Sequence, residues 1–173
     1  VQVYAYCRGF YPRDTMYVLW KLMEDEKAIP LVFPAHEAKK ADMMYEIRGD
    51  LTAFVKYFEN CILMISQHKE TGEIMGMVWF NDIIPGERAF GSVFCRRKFW
   101  GEPAREASRI SLDYAFRKLG FKTIWASTPW DVAAKHARSL GFKDAAKIHD
   151  IGSNNGDRLD ANILKLTKED FYA

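Results

Sequence analysis

Residues 88–120 read RAFGSVFCRRKFWGEPAREASRISLDYAFRKLG, and the fold is decided here. Arg88 to Arg96 is a short run with Phe and Val, the pattern of a strand. Arg97 to Pro103 is a loop. From Ala104 to Leu119 the residues Ala107, Ser111, Leu112, Ala115, Phe116 and Leu119 recur at helical spacing, and Arg105, Arg109, Arg117 and Lys118 fall on other faces. Gly120 then ends the helix, because glycine takes the left-handed conformation that closes a last turn.

Working outward, Cys61 to Gln67 reads as a buried strand, and Glu70-Thr71-Gly72-Glu73 as a turn. Ile74 to Asn81 returns as its antiparallel partner, and Pro85-Gly86 turns the chain into the strand at Arg88. After Gly120 come a short strand, Lys122 to Ser127, and a helix opened by Thr128-Pro129 and stopped at Gly141. Two last strands are expected near Lys143 to Ile151 and Ala161 to Leu166, about a turn-rich Gly152 to Asp157. On the N-terminal side, Val1 to Cys7 alternates like a strand, and Pro12 opens a helix whose apolar face is Met16, Leu19, Trp20 and Met23. A second helix is expected over Ala35 to Arg48, with Met43, Met44 and Ile47 inward, and a short third over Leu51 to Phe58. Helices fall between some strands and not others, so the fold class is mixed α/β, one domain over 1–173, with helices on both faces of the sheet.

Composition narrows the function classes. The 173 residues are 49% apolar and 28% charged, an ordinary globular balance for one domain. A formal net charge of +2 gives no field that would call for nucleic acid, and no apolar run approaches the ~20 residues of a membrane span. Neither a nucleic-acid nor a membrane partner is expected. Val1-Gln2-Val3-Tyr4 shows no signal-peptide pattern. Cys7, Cys61 and Cys95 are odd in number and far apart, as expected of reduced thiols in a cytoplasm. His36, His68, His136 and His149 have no metal-ligand spacing.

Several short segments recur in one known family. Phe99-Trp100-Gly101, then Glu106-Ala107 and Asp113-Tyr114-Ala115-Phe116, resemble the "W-G … E-A … Y-A-F" segment of enzymes that acetylate ribosomal-protein N-termini. Leu140-Gly141-Phe142 resembles a helix-closing "L-G-F", and Asp160-Ala161-Asn162-Ile163-Leu164 a final strand. By their order, the stretch from Cys61 to Leu166 resembles the GCN5-related N-acetyltransferase superfamily. The resemblance implies a mixed, mostly antiparallel sheet of six to seven strands whose fourth strand parts from the fifth. It implies acetyl-CoA as co-substrate, its pantetheine in that gap and its pyrophosphate at the start of the following helix, where unpaired amides favour an anion. On that basis Phe94, Cys95, Arg96, Arg97, Lys98, Gly101, Ala104 and Arg105 are the expected cofactor-binding residues.

The chain departs from the family twice. The phosphate loop usually reads Q/R-x-x-G-x-G/A; here Pro103 offers no N–H and Glu102 adds negative charge. Many members carry a Tyr five residues before the Phe of "G-F" to protonate the leaving thiolate, and Ala137 stands there. Glu87 and His136 are the expected catalytic pair; Asp82 and His68 also lie at strand ends where a base could sit. Cys95 reads as a packed thiol, and Arg48-Gly49-Asp50 as a helix terminator. The leading reading is acetyl transfer to a primary amine of a small molecule, a protein N-terminus or a lysine. A second is a non-catalytic binding or assembly protein with a protein partner. Faintly, the whole sequence resembles acyltransferase-like proteins encoded among tailed-phage head genes, which would make it virion-associated; Cys7-Arg8-Gly9-Phe10 contributes to that likeness. A third is a domain that senses CoA without chemistry.

Overall fold

The computed structural model describes residues 1–6, 12–32, 51–154 and 157–173. The expected helix over 35–48, Arg48-Gly49-Asp50 and the segment Cys7 to Phe10 lie outside the described residues. The described elements are β1 (Gln2–Tyr6), α1 (Arg13–Asp25), α2 (Ile29–Val32), α3 (Leu51–Phe58), β2 (Ile62–Gln67), β3 (Ile74–Ile84) and β4 (Arg88–Cys95). A 3-10 turn over Arg97–Phe99 leads to α4 (Glu102–Arg117), β5 (Thr123–Thr128), α5 (Asp131–Ser139), β6 (Lys143–Asn154), β7 (Asp157–Thr167) and α6 (Lys168–Tyr172).

Seven strands form one mixed sheet in the order β1-β2-β3-β4-β5-β7-β6. Every neighbouring pair is antiparallel except β4 and β5, which run parallel because α4 carries the chain back between them. Alternation along the strands feeds two cores. Leu63, Ile65, Met77, Trp79 and Phe94 face α1 and α3, where Met16, Leu19, Met23, Phe54 and Phe58 are fully buried. Met64, Phe80, Ala89, Ile124 and Leu164 face α4, whose Leu112, Ala115 and Phe116 complete the second core. We call these the α1/α3 face and the α4 face. Among the described residues no helix is long and apolar enough to cross a membrane.

Three local expectations are corrected. α4 begins at Glu102 rather than Ala104, so Gly101, at φ 93°, is its N-cap and Pro103 falls in the first turn, where its missing N–H has no helical partner to lose. α5 begins at Asp131, later than Thr128-Pro129 implied; Thr128 Oγ1 instead accepts the Trp130 amide at 3.1 Å, ahead of the helix. β6 and β7 run further than expected, taking in most of the stretch read as a turn. Helix α6 was not anticipated. Thr167 caps it by accepting the Asp170 amide at 3.1 Å while its hydroxyl donates to Asp170 Oδ2 at 2.9 Å.

β3 and β4 approach so closely at Gly76 that no side chain fits. A Cβ there would lie 2.1 Å from the Phe94 carbonyl oxygen and 2.8 Å from Cys95 Cα, both backbone atoms. Gly76→Ala is therefore expected to cost about 3 kcal/mol, measured as a lowered urea midpoint, because a strand must move to admit one methyl.

Candidate active site

The β4–β5 ladder is short. It pairs Arg88 with Thr123, Ala89 with Ile124 and Phe90 with Trp125, and stops. Beyond Phe90, β4 stays bonded to β3 up to Cys95, while β5 stays bonded to β7 through Thr128. The two strands splay, and between them opens a cavity of about 680 Å³ that reaches both faces of the sheet. The Arg96 amide donates to the Met75 carbonyl, so by alternation the N–H groups of Val93 and Cys95 point away from β3, into the gap.

On the α4 face the walls are α4 and α5. Ala104, Ser108 and Leu112 descend one side; Ala133, His136, Ala137 and Leu140 descend the other. Halfway down, Ser108 Oγ and His136 Nε2 meet at 3.0 Å. Burial holds the His136 imidazole below its ordinary pKa, and the Arg105 charge adds to this, so the ring is neutral at pH 7.

On the α1/α3 face, polar groups stand among the apolar Ala28, Val32 and Phe94. Trp79 Nε1 donates to Tyr57 Oη at 3.3 Å. Burial pushes the Tyr57 phenol up to about 12; the Trp79 N–H works against this, while Cys61 and the Asp82 carboxylate add to it. Asp82 sits in a bulge of β3, where the register slips between Asn81 and Ile84, and its φ of 45° is left-handed. A bulge re-aims side chains, and here Asp82 lines the cavity without an ion pair among the described residues. Beside it, Asn81 Oδ1 is buried with no hydrogen-bond partner among the described residues.

The expected site residues divide. Phe94, Cys95, Arg97, Gly101, Ala104 and His136 line the cavity. Glu87 does not: it lies at the closed end of the gap, exposed and paired with Lys122 at 2.6 Å. Arg96 and Lys98 are engaged elsewhere. Arg96 Nη1 donates to the Ile74 carbonyl at 3.1 Å, and its Nε lies 3.6 Å from Glu26. Lys98 Nζ donates to Glu73 at 2.6 Å, which holds that carboxyl below its usual range. Arg105 bonds Glu102 through Nε at 3.0 Å, so the Glu102 charge that sequence placed bare at the helix start is matched. Burial pushes the Cys95 thiol up to about 11, and Glu26 adds to this, so Cys95 is no nucleophile at neutral pH. His68 stacks on Phe99 with 6.0 Å between ring centroids, outside the cavity lining. The sequence reading missed Tyr57, Asn81 and Ser108: a helical tyrosine, a strand asparagine and a helical serine carry no motif, and the gap alone unites them.

Comparison with known proteins agrees with this geometry. Over 98% of this chain and 94% of the other, it superimposes on a ribosomal-protein-S5-alanine acetyltransferase from Vibrio fischeri with a TM-score of 0.70 at 15% identity. A spermidine N-acetyltransferase from Vibrio cholerae, solved with CoA and spermine, gives 0.74 at 14% identity over 99% of both chains. The fold is that of the N-acetyltransferases. A ribosomal-protein-alanine N-acetyltransferase from Brucella melitensis has the same fold, at 0.69 and 14% identity over 96% of this chain and 99% of that one. No family model and no curated protein sequence matches the chain. Of the buried polar atoms without a hydrogen-bond partner among the described residues, Asn81 Oδ1 lies in the β4–β5 gap, while Trp20 Nε1 and Arg96 Nε lie outside its lining.

The buried neutral His136 has a thermodynamic consequence. With its folded pKa below the unfolded value of about 6.5, stability is whole above that value and is lost as pH falls through it, since the unfolded chain then binds the proton first. Urea midpoints at pH 7.5 and 5.5 are expected to show this loss, and His136→Asn is expected to reduce it.

Proposed function

We propose that this chain is an acyltransferase that moves an acyl group from a CoA thioester, acetyl-CoA in the first instance, to a primary amine. The observation that carries the reading is the splayed β4–β5 gap, with strand-edge amides on one wall and a few polar side chains on each face. A pantetheine arm suits such a gap, because its amides can complete the hydrogen bonds that β5 leaves unmade. The N–H groups of Gly101, Glu102 and Ala104 precede the first helical acceptor and are the donors for a pyrophosphate, with the exposed Arg97 beside them.

The thioester supplies an activated carbonyl whose C–S bond breaks as the C–N bond forms. The chain supplies the proton handling and the polarisation. Val93 and Cys95 amides in the gap are placed to stabilise negative charge on an acyl oxygen. Asp82, rather than Glu87, takes the ammonium proton on the α1/α3 face. There Tyr57 stays protonated and offers its hydroxyl as a hydrogen-bonding wall. On the α4 face, Ser108 and the neutral His136 offer a hydrogen-bond donor to the leaving sulfur, in the region where Ala137 leaves no phenol, and the thiolate takes its proton from solvent.

A non-catalytic binding or assembly role is the second reading. It is favoured by the pairing of Arg96 with Glu26 and of Lys98 with Glu73, and by the Trp100 indole, whose N–H occupies the Cys95 carbonyl at 2.9 Å.

Calorimetric titration with acetyl-CoA separates the two. Micromolar binding is expected, and no heat at millimolar ligand would overturn the acyltransferase. Arg97→Ala is expected to weaken binding about tenfold, about 1.4 kcal/mol. Lys98→Ala, whose charge Glu73 already holds, should change it less than twofold. With an amine panel and thiol release as the readout, Asp82→Asn is expected to lower kcat by about 10²-fold or more while the Kd for acetyl-CoA stays unchanged.

A further inference from the structure

On the α1/α3 face, strand register gathers three neutral polar side chains around the point where β4 and β5 part. Phe94 faces the α1/α3 core, so by alternation Ser92 and Phe90 point to the same side of β4. Phe90 pairs with Asn81 on β3 and with Trp125 on β5, and residues directly opposite share a face. Ser127, two positions after Trp125, follows it to that face. Asn81, Ser92 and Ser127 all line the cavity, with Phe90 among them. None of the three side chains makes a hydrogen bond among the described residues, and Asn81 Oδ1 is buried. A buried acceptor left unpaired is costly, so this one calls for a donor from a ligand.

Resting on the acyltransferase reading, we propose that the acceptor is an amino sugar, a ring that carries one amine among hydroxyls. Its charge follows from the carboxylates. Glu26 and Asp82 are the carboxylates that line the cavity among the described residues, and Glu26 is held by Arg96 and the Arg97 amide. Asp82 alone is left, and it seats one ammonium. Trp125 stacks beside Phe90 with 6.5 Å between ring centroids, and Lys165 Nζ stands 5.6 Å from the Trp125 ring. A second ammonium laid along this row, as in a polyamine, would meet a like charge. Its polarity follows from the neutral groups. A hydroxyl both donates and accepts, so it suits the Asn81 carbonyl oxygen and the two serine hydroxyls alike. The C–H face of the sugar lies on the Phe90 ring. A plain alkylamine would leave the same polar groups unpaired. The reaction itself is unchanged: the amine nitrogen bonds the acyl carbon and the C–S bond breaks. The ammonium releases two protons, one of them through Asp82, and the departing sulfur takes one from solvent.

The test reads thiol release from acetyl-CoA by the whole chain with glucosamine, kanosamine, cyclohexylamine, spermidine and an alanyl tripeptide amide. One of the two amino sugars is expected to exceed the other three amines in kcat/KM by about tenfold or more, because a site built to hydrogen-bond hydroxyls rejects the analogue that lacks them. Asn81→Ala, Ser92→Ala and Ser127→Ala, made separately, should each raise the KM for that sugar about three- to tenfold, the worth of one hydrogen bond, with kcat changed less than about twofold. Cyclohexylamine, spermidine or the peptide used as well as the sugars would overturn the acceptor proposal and leave the acyltransferase standing. Unchanged KM in all three variants would overturn it too, as would tight acetyl-CoA binding with neither sugar turned over. If acetyl-CoA itself fails to bind in calorimetry, the acyltransferase reading falls and this proposal with it.

Discussion

Two parallel strands that stop bonding to each other are the constraint on which the rest depends. After Phe90 and Trp125, the facing amides and carbonyls of β4 and β5 have no partners in each other. Buried backbone groups left unpaired are costly, so such a gap persists only when both strands are held from outside. β3 holds β4 through Cys95, and β7 holds β5 through Thr128. The long β6–β7 hairpin and the tight β3–β4 seam at Gly76 are therefore what keep the cavity open.

The cavity has two chemistries because the sheet has two faces. α4 and α5 descend the same face from the open end, and their inward stripes pass from small residues to one polar pair to large apolar residues. The opposite face receives a carboxylate only because β3 bulges at Asp82. In a regular strand, alternation would have turned that side chain toward the α4 face. A local irregularity thus sets which face carries the carboxylate. The left-handed φ of Asp82 is a conformation that aspartate tolerates better than most residues.

Charge at the mouth is arranged rather than free. Glu26 at the end of α1 and Glu73 at the start of β3 take up Arg96 and Lys98, and the Arg97 amide donates to Glu26 at 3.3 Å. These contacts tie the turn after β4 to α1 and to the β2–β3 hairpin, so they position the start of α4. The cations that the sequence offers to a phosphate are in part spent on holding the loop that would bind it.

The sequence by itself determined most of the described elements and their order, though neither α2 nor α6. Helical spacing in α1, α3 and α4, glycine stops at Gly120 and Gly141, and the short apolar strands are local signals set by backbone geometry and burial. With them came the α/β class; the family resemblance added Arg97, Gly101 and Ala104, and these with His136 line the gap. Only the tertiary structure decided which charges face the cavity. Glu87 and Asp82 both lie near strand ends, but one meets Lys122 and the other a bulge. Ser108 meets His136, 28 residues away, because α4 and α5 lie on one face. Such pairings depend on strand register and helix placement, which are fixed by contacts between distant segments, and no periodicity within one segment encodes them.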